Sequence, residues 1–288
     1  ASVNFSEYPH GFPEIISLIA ENRIPEEQLK YLTKSLANVV ESSENILSLK
    51  KNPKMDDTYY SLLNHDSVAD RLKEIIRMLT NQFQDTSTMY EYVNRYIEIT
   101  FNRTEFHEEN GIGILYLSLE YVYTNKLNLQ NPIKILGEDD SDSEFFKDLG
   151  ELYGRYNFSI DERKDMYYDT LRFKIGTSAG GNIATRIVTE VARNKEITIA
   201  IADSDIKYEG GEYGETAKKL LEGKDDLVSN FNNHHFEAMI LSVHEKENLI
   251  KPSEYQSNGL TNPYIRLYCS IEQNGNLIKY LKYLDYKS

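Results

Sequence analysis

The chain has 288 residues, and 32 Lys and Arg against 46 Asp and Glu leave a formal net charge of −14. Hydrophobic residues at 40% and charged residues at 27% suffice to bury a core and cover it, which excludes wholesale disorder. A single cysteine, Cys269, excludes an internal disulfide, a Cys-rich zinc module and a Cys-ligated iron–sulfur cluster.

At roughly 100–200 residues per domain, this length fits one large domain or two ordinary ones. No run approaches the roughly 20 apolar residues of a membrane span, and the polar start, Ala1 to His10, does not read as a signal peptide. The expectation is a soluble protein of a reducing compartment, by default cytoplasmic. The acidic balance argues against holding DNA by broad charge neutralisation. It leaves room for an enzyme on nucleic acid that concentrates carboxylates at one site, where bound cations invert the local charge.

Residues 1–130 read as a helical domain. Pro25-Glu26-Glu27 is a helix start, with proline in the first turn and acids at the positive end of the dipole. Leu29, Leu32, Leu36, Val39 and Val40 then recur at three and four residues, and Val68, Leu72, Ile75, Ile76 and Leu79 repeat the spacing. Met89 to Ile99 is a further helix candidate. Arg103 and His107 could form a ribonuclease pair, but in a polar stretch they read as surface residues. Tyr92, Tyr96, Tyr116, Tyr121 and Tyr123 could stack on bases, although aromatics at helical spacing read first as core. The expected role of this half is packing, self-association into a homo-oligomer, or docking of an activating protein partner.

Residues 131–288 change period. Ile133 to Leu136 is a short apolar run followed by acids and a helical stretch, Glu144 to Tyr153. Leu171 to Ile175 is a second strand candidate, leading into Gly176 to Gly181 and a helical Ile183 to Ala192. Ile197 to Ala202 is the clearest strand, and Phe236 to Val243 the last. Strands alternating with helices predict an α/β fold with a mainly parallel sheet, whose functional groups belong beyond the carboxyl ends of the strands.

Acid clusters stand at those ends. Glu138, Asp139, Asp140 and Asp142 follow the first strand, Asp203 and Asp205 the third, and Glu245-Lys246-Glu247-Asn248 the fourth. Carboxylates brought together repel unless protonated or bound to a cation, and hard oxygen ligands suit Mg²⁺ or Mn²⁺. The competing reading is that each cluster is a solvated turn or helix cap. Gly176 to Gly181 lacks the lysine of a phosphate-binding loop, with Asn182 in its place; Ser178 or Asn182 could instead cap the next helix. His234 and His235, beside Asn232 and Asn233, form a weaker metal-binding candidate.

Together these elements resemble a TOPRIM domain, the fold shared by primases, topoisomerases and nucleases of the overcoming-lysogenisation-defect (OLD) family. Ile133 to Asp142 is similar to the family's strand and Glu-Gly-x-x-Asp element, with Glu138 and Asp142 at the acid positions and Asp139 where glycine is usual. Gly180-Gly181 fits its turn, Asp203-Ser204-Asp205 its Asp-x-Asp, and Glu245 to Asn248 a Glu- and Asn-bearing element of OLD-like defence nucleases. The resemblance covers about residues 131–255. It implies a nuclease dependent on Mg²⁺ or Mn²⁺ that acts on DNA or RNA, in a setting such as bacterial antiviral defence. In that reading Glu138 is metal ligand or general base, and Asp203 and Asp205 hold the metal. Asp142 and Glu247 complete that site or a second one, and Lys207 or Lys246 stabilises the phosphate charge.

Three other readings compete. A phospho-acceptor receiver leaves Asp205 unexplained, a nucleotide-sugar transferase using Asp-x-Asp leaves Glu138 idle, and an interaction protein would carry an inert sheet.

Overall fold

The computed structural model describes residues 18–19, 21–42, 47, 60, 63–66, 68–87, 95–158, 173–176, 187, 195–260 and 263–286. The chain divides into two compact units: residues 1–134, 148–174 and 195–197, and residues 135–147, 175–194 and 198–288. No helix among the described residues is long and apolar enough to cross a membrane.

In the first unit, α1 (Glu26–Ser42) starts one residue after Pro25, whose carbonyl accepts the Leu29 N–H at 3.0 Å. It packs on α2 (Asp70–Ser87) through the residues spaced three and four apart. Leu32, Leu36, Leu72, Ile76 and Leu79 are essentially inaccessible to solvent, and each contributes about 1.5–3 kcal/mol of apolar burial.

The expected helix over Met89 to Ile99 is not found in its described part. Residues 95–100 are strand β1 (Arg95–Thr100), followed by β2 (Glu105–Glu109) and β3 (Ile112–Ser118) in a three-stranded sheet of order β1-β3-β2. β1 runs parallel to β3 and β2 antiparallel to it. The hairpin between β2 and β3 turns on Asn110 and Gly111, at φ 54 and 78, a two-residue turn in which both positions need a positive φ. A helix α3 (Leu119–Asn125) follows, its first turn capped by Ser118 Oγ accepting from Tyr121 N at 3.1 Å. The first unit therefore contains both helices and strands.

Arg103, expected at the surface, is partly buried. Its side chain is 11% exposed and lies 3.8 Å from the Tyr116 ring centroid, beside Glu105. Tyr116 and Tyr121 are buried, Tyr123 donates to Glu27 at 3.0 Å, and Tyr92 lies outside the described residues.

The second sheet has four parallel strands, β4 (Ile133–Leu136), β5 (Phe173–Ile175), β6 (Thr198–Ala202) and β7 (Phe236–Ile240), in the order β5-β4-β6-β7. Helix α4 (Asp140–Phe158) follows β4, and α5 (Glu215–Phe231) connects β6 to β7. β6 is central and almost wholly buried; its Ala200 and Ala202 take little room against Leu136, Leu220, Leu227 and Phe236. Helix α5 buries Ala217, Leu220, Gly223 and Leu227, a single face at helical spacing. The chain closes with a 3-10 turn (Lys246–Leu249), α6 (Pro252–Ser257), α7 (Pro263–Glu272) and a second 3-10 turn (Ile278–Tyr283). Tyr268 and Tyr286 stack there over buried Cys269 and Ile265.

Candidate metal centre

The strand order makes β4, β6 and β7 neighbours, so the chain leaves the sheet three times at one edge, all within the second unit. Each exit has its own local device.

After β4, Gly137 N donates to Ser143 Oγ at 2.7 Å and draws the turn onto the start of α4. A Cβ at Gly137 would stand 2.5 Å from Asp142 Cβ and 2.7 Å from Ser143 N, so only glycine allows this approach. Asp139 accepts from Asp142 N at 2.8 Å and from Ser141 Oγ at 2.6 Å, and its own N–H returns to Asp142 Oδ2 at 3.2 Å. That is a reciprocal helix cap. The Ser141 hydroxyl first, and then the Asp142 backbone N–H, hold the Asp139 carboxyl below its ordinary value. Glu138 instead points to β6, where Oε1 accepts from Asp203 N at 3.2 Å.

After β6, Asp203 and Asp205 diverge. Asp203 Oδ1 accepts from the backbone N–H of Lys246 at 2.8 Å. Buried Ser204 donates its hydroxyl to Val243 O at 2.5 Å, and Asp205 N donates to His244 O at 2.9 Å. The ends of β6 and β7 are thereby joined beyond the regular ladder. Asp205 has φ 54, a left-handed conformation that Asp tolerates better than most residues.

After β7, Lys246 forms a close ion pair with Asp142, and its Nζ lies 3.4 Å from Ser141 Oγ. Burial pulls the ammonium down, but the Asp142 hydrogen bond and charge, with Glu247 and Asp139, outweigh it and hold it above its ordinary value. Asn248 fixes the segment: its Oδ1 accepts from Glu245 N at 3.0 Å and its Nδ2 donates to Leu281 O and Leu284 O, each at 2.8 Å.

The structure thus brings Glu138 next to Asp203, and ties Asp142 to the same edge through Lys246. Asp205 joins a different group: one ligand atom each from Asp205, His244 and Glu245 lie within 4.8 Å of one another. Glu247 lies in the 3-10 turn with its carbonyl accepting from Tyr255 Oη at 3.1 Å, and its side chain is not in that group. Lys207 is exposed in the loop beyond Asp205, whereas the Lys246 ammonium reaches Asp142.

His234 and His235 precede β7, at the opposite end of the strand, where they contact Asn232 at 2.9 Å and Asn233 at 3.4 Å. Gly176 N donates to Ile135 O at 2.9 Å; residues 177–181, with Ser178, and Asn182 lie outside the described residues. His244 belongs to none of the motifs singled out from the sequence. Its signal was present: a histidine between the end of an apolar strand and an acid run.

The donors fit divalent cations. Glu138 and Asp203 supply hard oxygens, and Mg²⁺ is commonly held by one or two carboxylates together with water and substrate phosphates. Fold and site define a mixed α/β protein with carboxylates gathered at the C-terminal edge of a parallel sheet. Comparison with family models, curated proteins and solved structures finds no match for this chain.

Proposed function

We propose that the protein is a metal-dependent nuclease that hydrolyses phosphodiester bonds of DNA or RNA. The observation that carries this reading is the meeting of Glu138 and Asp203 at neighbouring strand ends, where Glu138 Oε1 accepts from the Asp203 backbone N–H at 3.2 Å, with the Lys246 backbone N–H on Asp203 and its ammonium on Asp142. The TOPRIM-like order of motifs supports the same chemistry.

Glu138 and Asp203 would hold Mg²⁺ or Mn²⁺. Such an ion, when bound, polarises a phosphate oxygen and lowers the pKa of its water. The chain's own groups do the rest. The Asp203 N–H orients the Glu138 carboxylate, as ligand or as base toward the attacking water. Lys246 sets a positive charge beside the carboxylates, where charge builds on phosphate in the transition state. Asp142 and the capped start of α4 keep that ammonium in place. With a net charge of −14, substrate reaches the edge through local cations or is presented by a partner. The setting this reading implies is bacterial antiviral defence, with the first unit docking an activating protein or a second copy of the chain.

The test is cleavage of plasmid DNA and of total RNA in Mg²⁺ or Mn²⁺, comparing wild type with Glu138→Gln and Asp203→Asn. Even outer partners of a metal typically cost about 10–100-fold, so each variant should lose at least that much activity while keeping its circular dichroism spectrum. Full activity in both variants would remove these carboxylates from the reaction.

A further inference from the structure

We infer that Asp205, His244 and Glu245 form a cation site of their own, built to take a divalent transition-metal ion such as Mn²⁺ or Zn²⁺ in preference to Mg²⁺. The inference goes beyond the nuclease reading: it concerns cation binding by residues that reading does not use for its Glu138–Asp203 pair.

Three observations carry it. One ligand atom from each residue lies within 4.8 Å of the others, close enough for a single ion to touch all three. His244 is 5% exposed, and its Nδ1 is buried without a hydrogen-bond partner among the described residues. Buried polar atoms are almost always satisfied, so a buried imidazole with one nitrogen left over, on a residue grouped with two carboxylates, points to a ligand. The site is also held from behind. Asp205 N donates to His244 O at 2.9 Å, and His244 N to Lys282 O at 2.7 Å. Gly214 closes on the aspartate so tightly that a Cβ there would stand 2.1 Å from Oδ2.

The donor set decides the ion. Mg²⁺ prefers all-oxygen surroundings and gives up water reluctantly, whereas imidazole nitrogen favours transition ions. One imidazole and two carboxylates leave positions for water, as in open zinc sites.

The experiment uses the full chain stripped of metal with EDTA. Mn²⁺ is titrated under electron paramagnetic resonance, with electron spin-echo measurement of coupling to imidazole nitrogen, and Zn²⁺ by calorimetry. Wild type should show a directly coordinated nitrogen that survives a 100-fold excess of Mg²⁺. His244→Gln should abolish the coupling, and both it and Asp205→Asn should weaken Zn²⁺ binding by about 10-fold or more. Asn tolerates the left-handed backbone at 205, so that variant remains decisive if His244→Gln does not fold. Glu138→Gln should keep the coupling. Absence of nitrogen coupling in wild type, its persistence in His244→Gln, or its loss in Glu138→Gln would each overturn the inference. Cleavage that ignores Glu138→Gln would refute the nuclease reading and leave this site standing.

Discussion

Replacing Gly214 by alanine isolates the contact on which Asp205 depends. Gly214 has φ −63 and ψ 170, a conformation open to any residue, so the methyl group acts through space alone. Its Cβ would lie 2.1 Å from Asp205 Oδ2 and 2.6 Å from Asp205 Cβ, where ordinary contact begins at 3.4 Å. The shortfalls are 3.4 − 2.1 = 1.3 Å and 3.4 − 2.6 = 0.8 Å. Rotation of the carboxylate relieves the first and does nothing for the second, because Cβ moves only with the backbone. That backbone is tied on both sides: Asp205 N to His244 O and Gly214 N to Ser204 O, each at 2.9 Å. Overpacking of this kind costs about 1–3 kcal/mol, a Tm decrease of several degrees in calorimetry. Gly275→Ala is the control, since nothing lies within 4 Å of its added Cβ and its φ is not positive. It should be neutral or slightly stabilising, by up to about 1 kcal/mol. Gly214→Ala should also weaken binding of Mn²⁺ by moving Asp205 from His244 and Glu245. Equal Tm values for the two variants, with unchanged Mn²⁺ affinity, would refute the tight-contact argument.

Lys246→Met retains the backbone N–H to Asp203 and removes the ammonium from Asp142. The paired side chains are 18% and 13% exposed, so the loss falls between surface and buried pairs, about 1–3 kcal/mol by urea denaturation. Because the Lys246 value is raised above 10.5, its stabilisation is complete below pH 10.5 and disappears as pH rises through the folded value. Wild type should therefore lose stability in that alkaline window, and a wild-type curve parallel to that of Lys246→Met there would contradict the assignment. Asn248→Ala removes one acceptor and two donor contacts that join Glu245 to the carbonyls of Leu281 and Leu284. A cost of about 1–3 kcal/mol is expected for the buried groups left unpaired, with faster proteolysis near residues 277–286; unchanged cleavage there would show that Asn248 does not tether the tail.

Periodicity alone determined the helices α1 and α2, because residues spaced three and four apart can share a buried face in no other regular structure. It also placed β4, β6 and β7, as short apolar runs bounded by turn residues, and so the α/β character of the second half. β1 was misread because Tyr96, Ile97 and Ile99 suit helix and strand about equally over so short a run, and Glu98 is buried against expectation. The Asn110-Gly111 pair, about ten residues further on, is a hairpin signal for the strands that follow. Composition marked acids at the strand ends without dividing their tasks. Tertiary structure made that division. Asp139 caps a helix, Glu138 meets Asp203, Asp142 meets Lys246, and Asp205 turns left-handed toward His244 and Glu245. Local sequence encodes which face of an element is apolar, a property of spacing along one chain segment. Which strand ends become neighbours depends on sheet order β5-β4-β6-β7, which is set by packing between segments some 65 and 104 residues apart at the Glu138–Asp203 and Asp142–Lys246 contacts.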